Sequence, residues 1–126
     1  MLQIDYKSGV SICDQIINGF INLISIGVLK TDDPMPSVRS MASSISVNPN
    51  TIQKAYAILE ERQIIYTVKG KGSFVADAEN TKRELLLKER QALKSAVNSA
   101  KLKGLTLKEV EDIIKCIYEK GGNHCD

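Results

Sequence analysis

The chain has 126 residues, of which 43% are apolar and 25% charged, with a formal net charge of +2. Such values suit one standard globular domain, or a small domain with an appended element, and they exclude a disordered chain. No apolar run approaches the roughly 20 residues that cross a bilayer, and Met1 to Val10 lacks the basic start and apolar stretch of a signal peptide, so the expected location is the cytoplasm with no membrane partner. The small net charge reports only a sum, so it says nothing about where Lys and Arg gather. The three cysteines, at 13, 116 and 125, are odd in number and scattered. They read as reduced thiols, with neither a disulfide framework nor a metal-ligand spacing.

In chain order, Ile12, Ile16, Ile17, Phe20, Ile21, Leu23 and Ile24 recur at helical spacing between Ser11 and Gly27, which predicts a first, largely buried helix. Thr31 to Pro36 carries two prolines and two aspartates and reads as a connecting loop. Ser37 can cap a short second helix, about Ser37 to Ile45, that offers Val38, Met41, Ala42 and Ile45 to a core. Asn48 then supplies an N-cap oxygen and Pro49 suits the first helical position, so a third helix starts here. Its inward stripe is Ile52, Ala55, Tyr56 and Leu59, which leaves Asn50, Thr51, Gln53, Lys54 and Ala57 on other faces. Two helices separated by three or four residues make a helix-turn-helix.

Ile64 to Val68 and Ser73 to Ala76 are short β-prone runs around Lys69, Gly70, Lys71 and Gly72, which predicts a hairpin placed as a wing. From Asp77 to Lys103 there is no Pro or Gly, and Thr81 with Glu84 stands at capping-box spacing, so one long helix is expected. Leu86, Leu93, Val97 and Ala100 give it a narrow apolar seam, and Gly104 ends it. Thr106 with Glu109 caps a last helix bearing Leu107, Val110, Ile113, Ile114 and Ile117, and the tail from Gly121 to Asp126 reads as frayed. The fold class is therefore mainly α with a small β-hairpin: a winged helix-turn-helix domain over 1–76, then two C-terminal helices over 77–126.

Several motifs have a bland reading beside a sharp one. Gly70, Lys71, Gly72 and Ser73 are not a phosphate loop, which needs Lys followed directly by Ser or Thr. His124 and Cys125 are adjacent and lack further ligands, so no metal and no cofactor is assigned. No Ser, His and Asp set stands out, and a lone histidine in the tail argues against an enzyme. Cys13 and Cys116 lie on or beside apolar stripes and read as small buried hydrophobes.

Taken together, Gln15 and Ile16, then Pro36 to Ala42, then Asn50 to Tyr56, then Gly70 to Val75, resemble the GntR regulators of bacterial transcription. The short helical tail is similar to that of the YtrA-like branch, in which such a tail implies dimerisation and the targets implied are transporter operons. Asp32, Ser46 and Gln63 depart from the pattern, because these regulators commonly carry Gly there, and Cys13 stands where an aromatic is usual. A left-handed backbone costs a residue with a Cβ on the order of 1 kcal/mol, so altered local turns are expected at those three positions.

The function expected is sequence-specific binding of a palindromic operator by a homodimeric repressor. The candidate DNA-binding residues are Ser37, Arg39, Asn48, Pro49, Asn50, Thr51, Gln53, Lys54, Lys69, Gly70, Lys71 and Gly72. Asn and Gln side chains on the first turn of the third helix can pair with adenine edges, whereas Lys54, Lys69 and Lys71 suit phosphate. The resemblance implies that Arg39 reaches the DNA backbone or a guanine. Leu86, Leu93, Val97, Ala100, Leu107, Val110, Ile114 and Ile117 are the candidate dimer interface. Fifty residues after the wing leave little room to bury a metabolite, so no small-molecule effector is assigned. The alternative function is a winged-helix adaptor that binds proteins without reading DNA, which would call for an exposed apolar patch on the third helix.

Overall fold

The caps and periodicities of the sequence become five helices and a hairpin: α1 (Ile12–Ser25), α2 (Val38–Ile45), α3 (Pro49–Glu61), β1 (Ile65–Val68), β2 (Gly72–Val75), α4 (Ala78–Leu102) and α5 (Leu107–Lys120). The computed structural model describes residues 2–120, so the tail expected to fray lies outside the described residues, as do His124 and Cys125. The Ser11, Ser37 and Asn48 side chains each accept a backbone N–H of the helix they start, from Asp14, Ser40 and Asn50 respectively. Satisfying one of the otherwise unpaired donors of a first turn is what fixes these starts. Thr106 and Glu109 form the reciprocal pair expected at the head of α5, the Thr106 N–H donating to the Glu109 carboxylate and the Glu109 N–H to the Thr106 hydroxyl.

At the head of α4 the expectation needs correction. The helix begins at Ala78, three residues before Thr81, because the Asp77 carboxylate accepts the Asn80 N–H and the Thr31 hydroxyl accepts the Ala78 N–H. Thr81 is instead a buried polar residue within the helix, and Glu84 makes a side-chain bond with Asn80. The cysteine expectation is corrected too: Cys13 is a free thiol, whereas Cys116 is disulfide-bonded.

By its internal contacts the chain divides into Met1–Leu86 and Leu87–Asp126, a boundary that falls inside α4. The first unit contains the whole apolar core. Ile16 and Phe20 of α1, Ile52, Ala55 and Leu59 of α3 and Val75 of β2 have no exposed surface, and Met41 and Ala42 of α2 close the remaining side. Burial of this stripe stabilises the domain far more than helix propensity does, since α2 has only eight residues. In the second unit, Ala100, Val110 and Cys116 are half-buried, and every other described residue is exposed. Among the described residues no helix is long and apolar enough to cross a membrane.

The wing is wider than the sequence suggests. β1 and β2 pair antiparallel with Ile65 opposite Val75 and Val68 opposite Gly72. The segment expected to be only a loop runs along the free side of β2. Asp32 N–H donates to the Val75 carbonyl, Val75 N–H to the Asp33 carbonyl and Met35 N–H to the Ser73 carbonyl, with Pro34 bridged to Phe74. A proline is tolerated there because an edge strand need not donate at every position.

Asp32, Ser46 and Gln63 take φ of 69°, 55° and 61°. The turns are thus not altered at the positions where glycine is usual: residues with a Cβ adopt the left-handed conformation that glycine would take without strain. Ser46 and Gln63 lie just beyond α2 and α3, where such a residue lets the chain leave the helix while its N–H still bonds the last turn, to the Ala42 and Glu60 carbonyls.

Candidate nucleic-acid interface

α3 is amphipathic in a way that separates support from contact. Ile52, Ala55, Tyr56 and Leu59 are buried, while Asn48, Pro49, Asn50, Gln53 and Lys54 are exposed and Thr51 is half-buried. The first turn therefore presents amide side chains to solvent at the end of the helix where unpaired N–H groups concentrate positive potential. Asn48 is committed in part to the cap, its Oδ1 accepting the Asn50 N–H at 2.8 Å. Its amide NH2 is left to donate outward. The electrostatic influence of Lys54 on the Cys13 thiol puts that lysine on the flank of α3 beside α1. Burial pushes the thiol pKa up more strongly than Lys54 lowers it, so Cys13 stays protonated at neutral pH.

α2 and α3 are locked to one another. The Tyr56 hydroxyl donates to the Pro36 carbonyl at 2.7 Å, and its ring meets Phe20 edge-on at 5.7 Å between centroids. Burial pushes the Tyr56 pKa up to about 12. This bond fixes the chain just ahead of Ser37, so the start of α2 is positioned by a side chain of α3. Ser37 and Arg39 are both exposed there. Ser37, like Asn48, spends its side-chain oxygen on a cap, accepting the Ser40 N–H.

On the wing Lys69, Gly70, Lys71 and Gly72 are all exposed, and Gly70 and Gly72 have φ of 79° and 106°. No atom lies within 4 Å of where a Cβ would stand on either glycine. They are required by backbone conformation and not by crowding inside the protein. Behind the tip, Tyr66 stacks on Phe74 at 5.6 Å and its hydroxyl donates to the Asp32 carboxylate at 2.8 Å. The hairpin is thereby tied to the segment that precedes α2. The bond, strengthened by the negative charge of Asp32, raises the Tyr66 pKa.

Residues 13–75, half of the chain, match the family described as bacterial regulatory proteins of the gntR family. The chain belongs to the gntR family. Along its whole length this gntR-family chain is 38% identical to the HTH-type transcriptional repressor YtrA of Bacillus subtilis (strain 168), the match covering 100% of both. A GntR family transcriptional regulator from Listeria monocytogenes has the same fold at a TM-score of 0.76 and 30% identity, covering 87% of this chain and 97% of that one. A transcriptional regulator from Oenococcus oeni superposes at 0.78 and 25% identity, over 94% and 99%. The gntR-family chain is thus a DNA-binding transcription regulator and not an enzyme, and its fold is a winged helix-turn-helix followed by two helices.

Two roles in this gntR-family protein escaped the sequence reading. Gln15, noted only as part of a motif, anchors the N-terminal segment: its Oε1 accepts the Asp5 N–H, and its Nε2 donates to the Asp5 and Val10 carbonyls. A Gln at the polar edge of an otherwise apolar helix was the available signal. Asp32 stands where glycine is usual, yet its carboxylate holds Tyr66. No local pattern announces a partner 34 residues away.

Proposed function

We propose that the protein is a homodimeric repressor that reads a palindromic operator, works in the cytoplasm and controls a transporter operon. The observation that carries DNA readout is the polar first turn of α3, where exposed Asn50 and Gln53 stand on a helix whose opposite stripe is fully packed. In this reading residues 1–76 bind DNA and residues 77–126 pair two copies. Asn48, Asn50, Thr51 and Gln53 address base edges in the major groove. Ser37, Arg39, Pro49, Lys54 and the wing residues Lys69, Gly70, Lys71 and Gly72 settle the protein on the backbone. Rigid support from the core makes those contacts precise, because a side chain on an ordered helix gives up little freedom when it meets a base.

Pairing is supported by the exposed apolar residues of α4 and α5. Leu86, Leu93 and Val97 of α4 and Leu107, Ile114 and Ile117 of α5 are exposed between 37% and 74% of their surface, and Ala100 and Val110 are half-buried. Two helices of this kind have no core of their own, and a second copy supplies one. A two-fold dimer then presents two α3 helices to two half-sites. Repression follows by occlusion of a promoter, and the repressor named among the relatives spans the same length.

Binding to a selected palindromic operator and to its isolated half-site separates the readings. The full site is expected to bind at least about a hundredfold more tightly, since the second half-site is met at high effective concentration. Equal affinities would refute the dimeric reader.

A further inference from the structure

An open cleft of about 440 Å³ lies within the first unit and takes none of its lining from α3. Its walls come from the end of α1, the turn after it and the first turn of α4. Buried Ile24 and Leu29, together with exposed Ile26, give it an apolar floor, and Lys30 and Lys82 stand at its edge with Thr31 and Glu79. The size falls within the range of small-molecule sites. Two ammonium groups against one carboxylate leave a single positive charge, which suits a monoanion better than a neutral or multiply charged molecule.

We propose that this cleft binds a small organic monoanion, a carboxylate with a short apolar body, and that occupancy changes the placement of the wing. Lys30 and Lys82 hold the anionic head while Ile24, Ile26 and Leu29 receive the body. The consequence for the wing is set by the two residues of the wall that also bind elsewhere. The Lys30 N–H donates to the Asp33 carboxylate at 2.8 Å, and the Thr31 hydroxyl accepts the first N–H of α4 at 3.0 Å. The next residues, Asp32 and Asp33, carry the ladder to Val75 and the bond to Tyr66. A ligand that draws Lys30 inward therefore acts on the strand to which the hairpin is tied. The regulatory half of this proposal rests on the DNA-reading function, while the binding half does not.

The test titrates the full-length protein with hexanoate, benzoate and, as a cation of like size, hexylamine, following backbone amide shifts by NMR. Saturable shifts confined to Ile24–Thr31 and Ala78–Lys82, given by either anion and not by hexylamine, are expected. The Lys30→Glu, Lys82→Glu double variant should weaken them by at least about tenfold, as the loss of two charge-assisted contacts implies. The saturating anion should also change operator affinity by about fivefold or more, the lower end of typical allosteric couplings. Overturning results are an absence of saturable shifts from both anions, equal response to hexylamine, or unchanged binding in the double variant. Saturable binding that leaves operator affinity unmoved overturns the regulatory half. Failure of the ligand-free protein to bind any operator refutes the DNA-reading function and leaves the cleft's occupancy standing on its own shifts.

Discussion

Replacing Ser46 and Gln63 with glycine should stabilise the protein. Both residues hold a left-handed backbone, at φ of 55° and 61°, and neither side chain makes a hydrogen bond among the described residues. An L-residue in that region costs roughly 1–2 kcal/mol relative to its relaxed conformation. Glycine removes this strain but enlarges the unfolded ensemble, which returns about 0.4–1 kcal/mol. A net gain of about 0.5–1 kcal/mol is left at each site. The two residues end different helices and share no hydrogen-bond partner, so the double variant should gain about 1–2 kcal/mol. For a domain of this size that is a rise in Tm of about 4–8 °C per kcal/mol, and in urea the midpoint should move up at constant slope. Asp32→Gly is the contrast: it relieves the same strain at φ of 69° but takes the acceptor from the Tyr66 hydroxyl, so its gain should be smaller. An unchanged or lowered urea midpoint in the Ser46→Gly, Gln63→Gly protein would refute the strain argument.

Other measurements address the site and its support. Asn50→Ala should narrow the gap between operator and random DNA by about 1–3 kcal/mol, the worth of one good base contact, whereas Lys71→Ala should weaken all DNA alike and reduce the log–log salt slope by about 0.9 per subunit; competition binding at several salt concentrations separates the two. The Tyr56 pKa is raised above its unfolded value near 10 to about 12. The folded state therefore holds that proton more tightly, and the stabilisation is complete below pH 10 and lost as pH rises towards 12. Tyr56→Phe should remove this component from alkaline denaturation, and an identical pH profile in the variant would contradict it. Val97→Asp with Ile114→Asp should raise the dimer dissociation constant by more than about tenfold in sedimentation equilibrium, without lowering the thermal midpoint of the core in residues 2–86.

The parts of the fold that were legible in the sequence are those set by neighbours in the chain. Ser37 and Asn48 cap helices because the bonds they make reach only two or three residues ahead, and the α3 stripe of Ile52, Ala55, Tyr56 and Leu59 follows from helical geometry alone. Thr81 and Glu84 show the limit of such signals. Their spacing is that of a capping box, but Asp77 and Thr31 had already satisfied the start of α4, and Thr31 comes from 47 residues upstream. The pairing of residues 32–35 with β2 was hidden by the prolines at 34 and 36, which argue for a loop in any local reading. At the candidate site the exposed amides of α3 and the glycines of the wing were readable from composition and turn chemistry. The ties of Tyr56 to Pro36, of Tyr66 to Asp32 and of Gln15 to Asp5 were not, because each joins residues ten or more positions apart through a polar side chain.

The extra edge on the wing bears on the order in which the molecule comes together. A hairpin with four residues in each strand is marginal in water on its own, and here its outer strand is completed by a segment about forty positions earlier in the chain. That closure becomes favourable only once α2 and α3, which fill the interval, have condensed, since a long loop costs less entropy when its contents are already ordered. The wing should accordingly acquire its amide protection after the helices in pulsed hydrogen exchange. Changes in the length of the segment between α1 and α2 should slow its closure while leaving the helices intact.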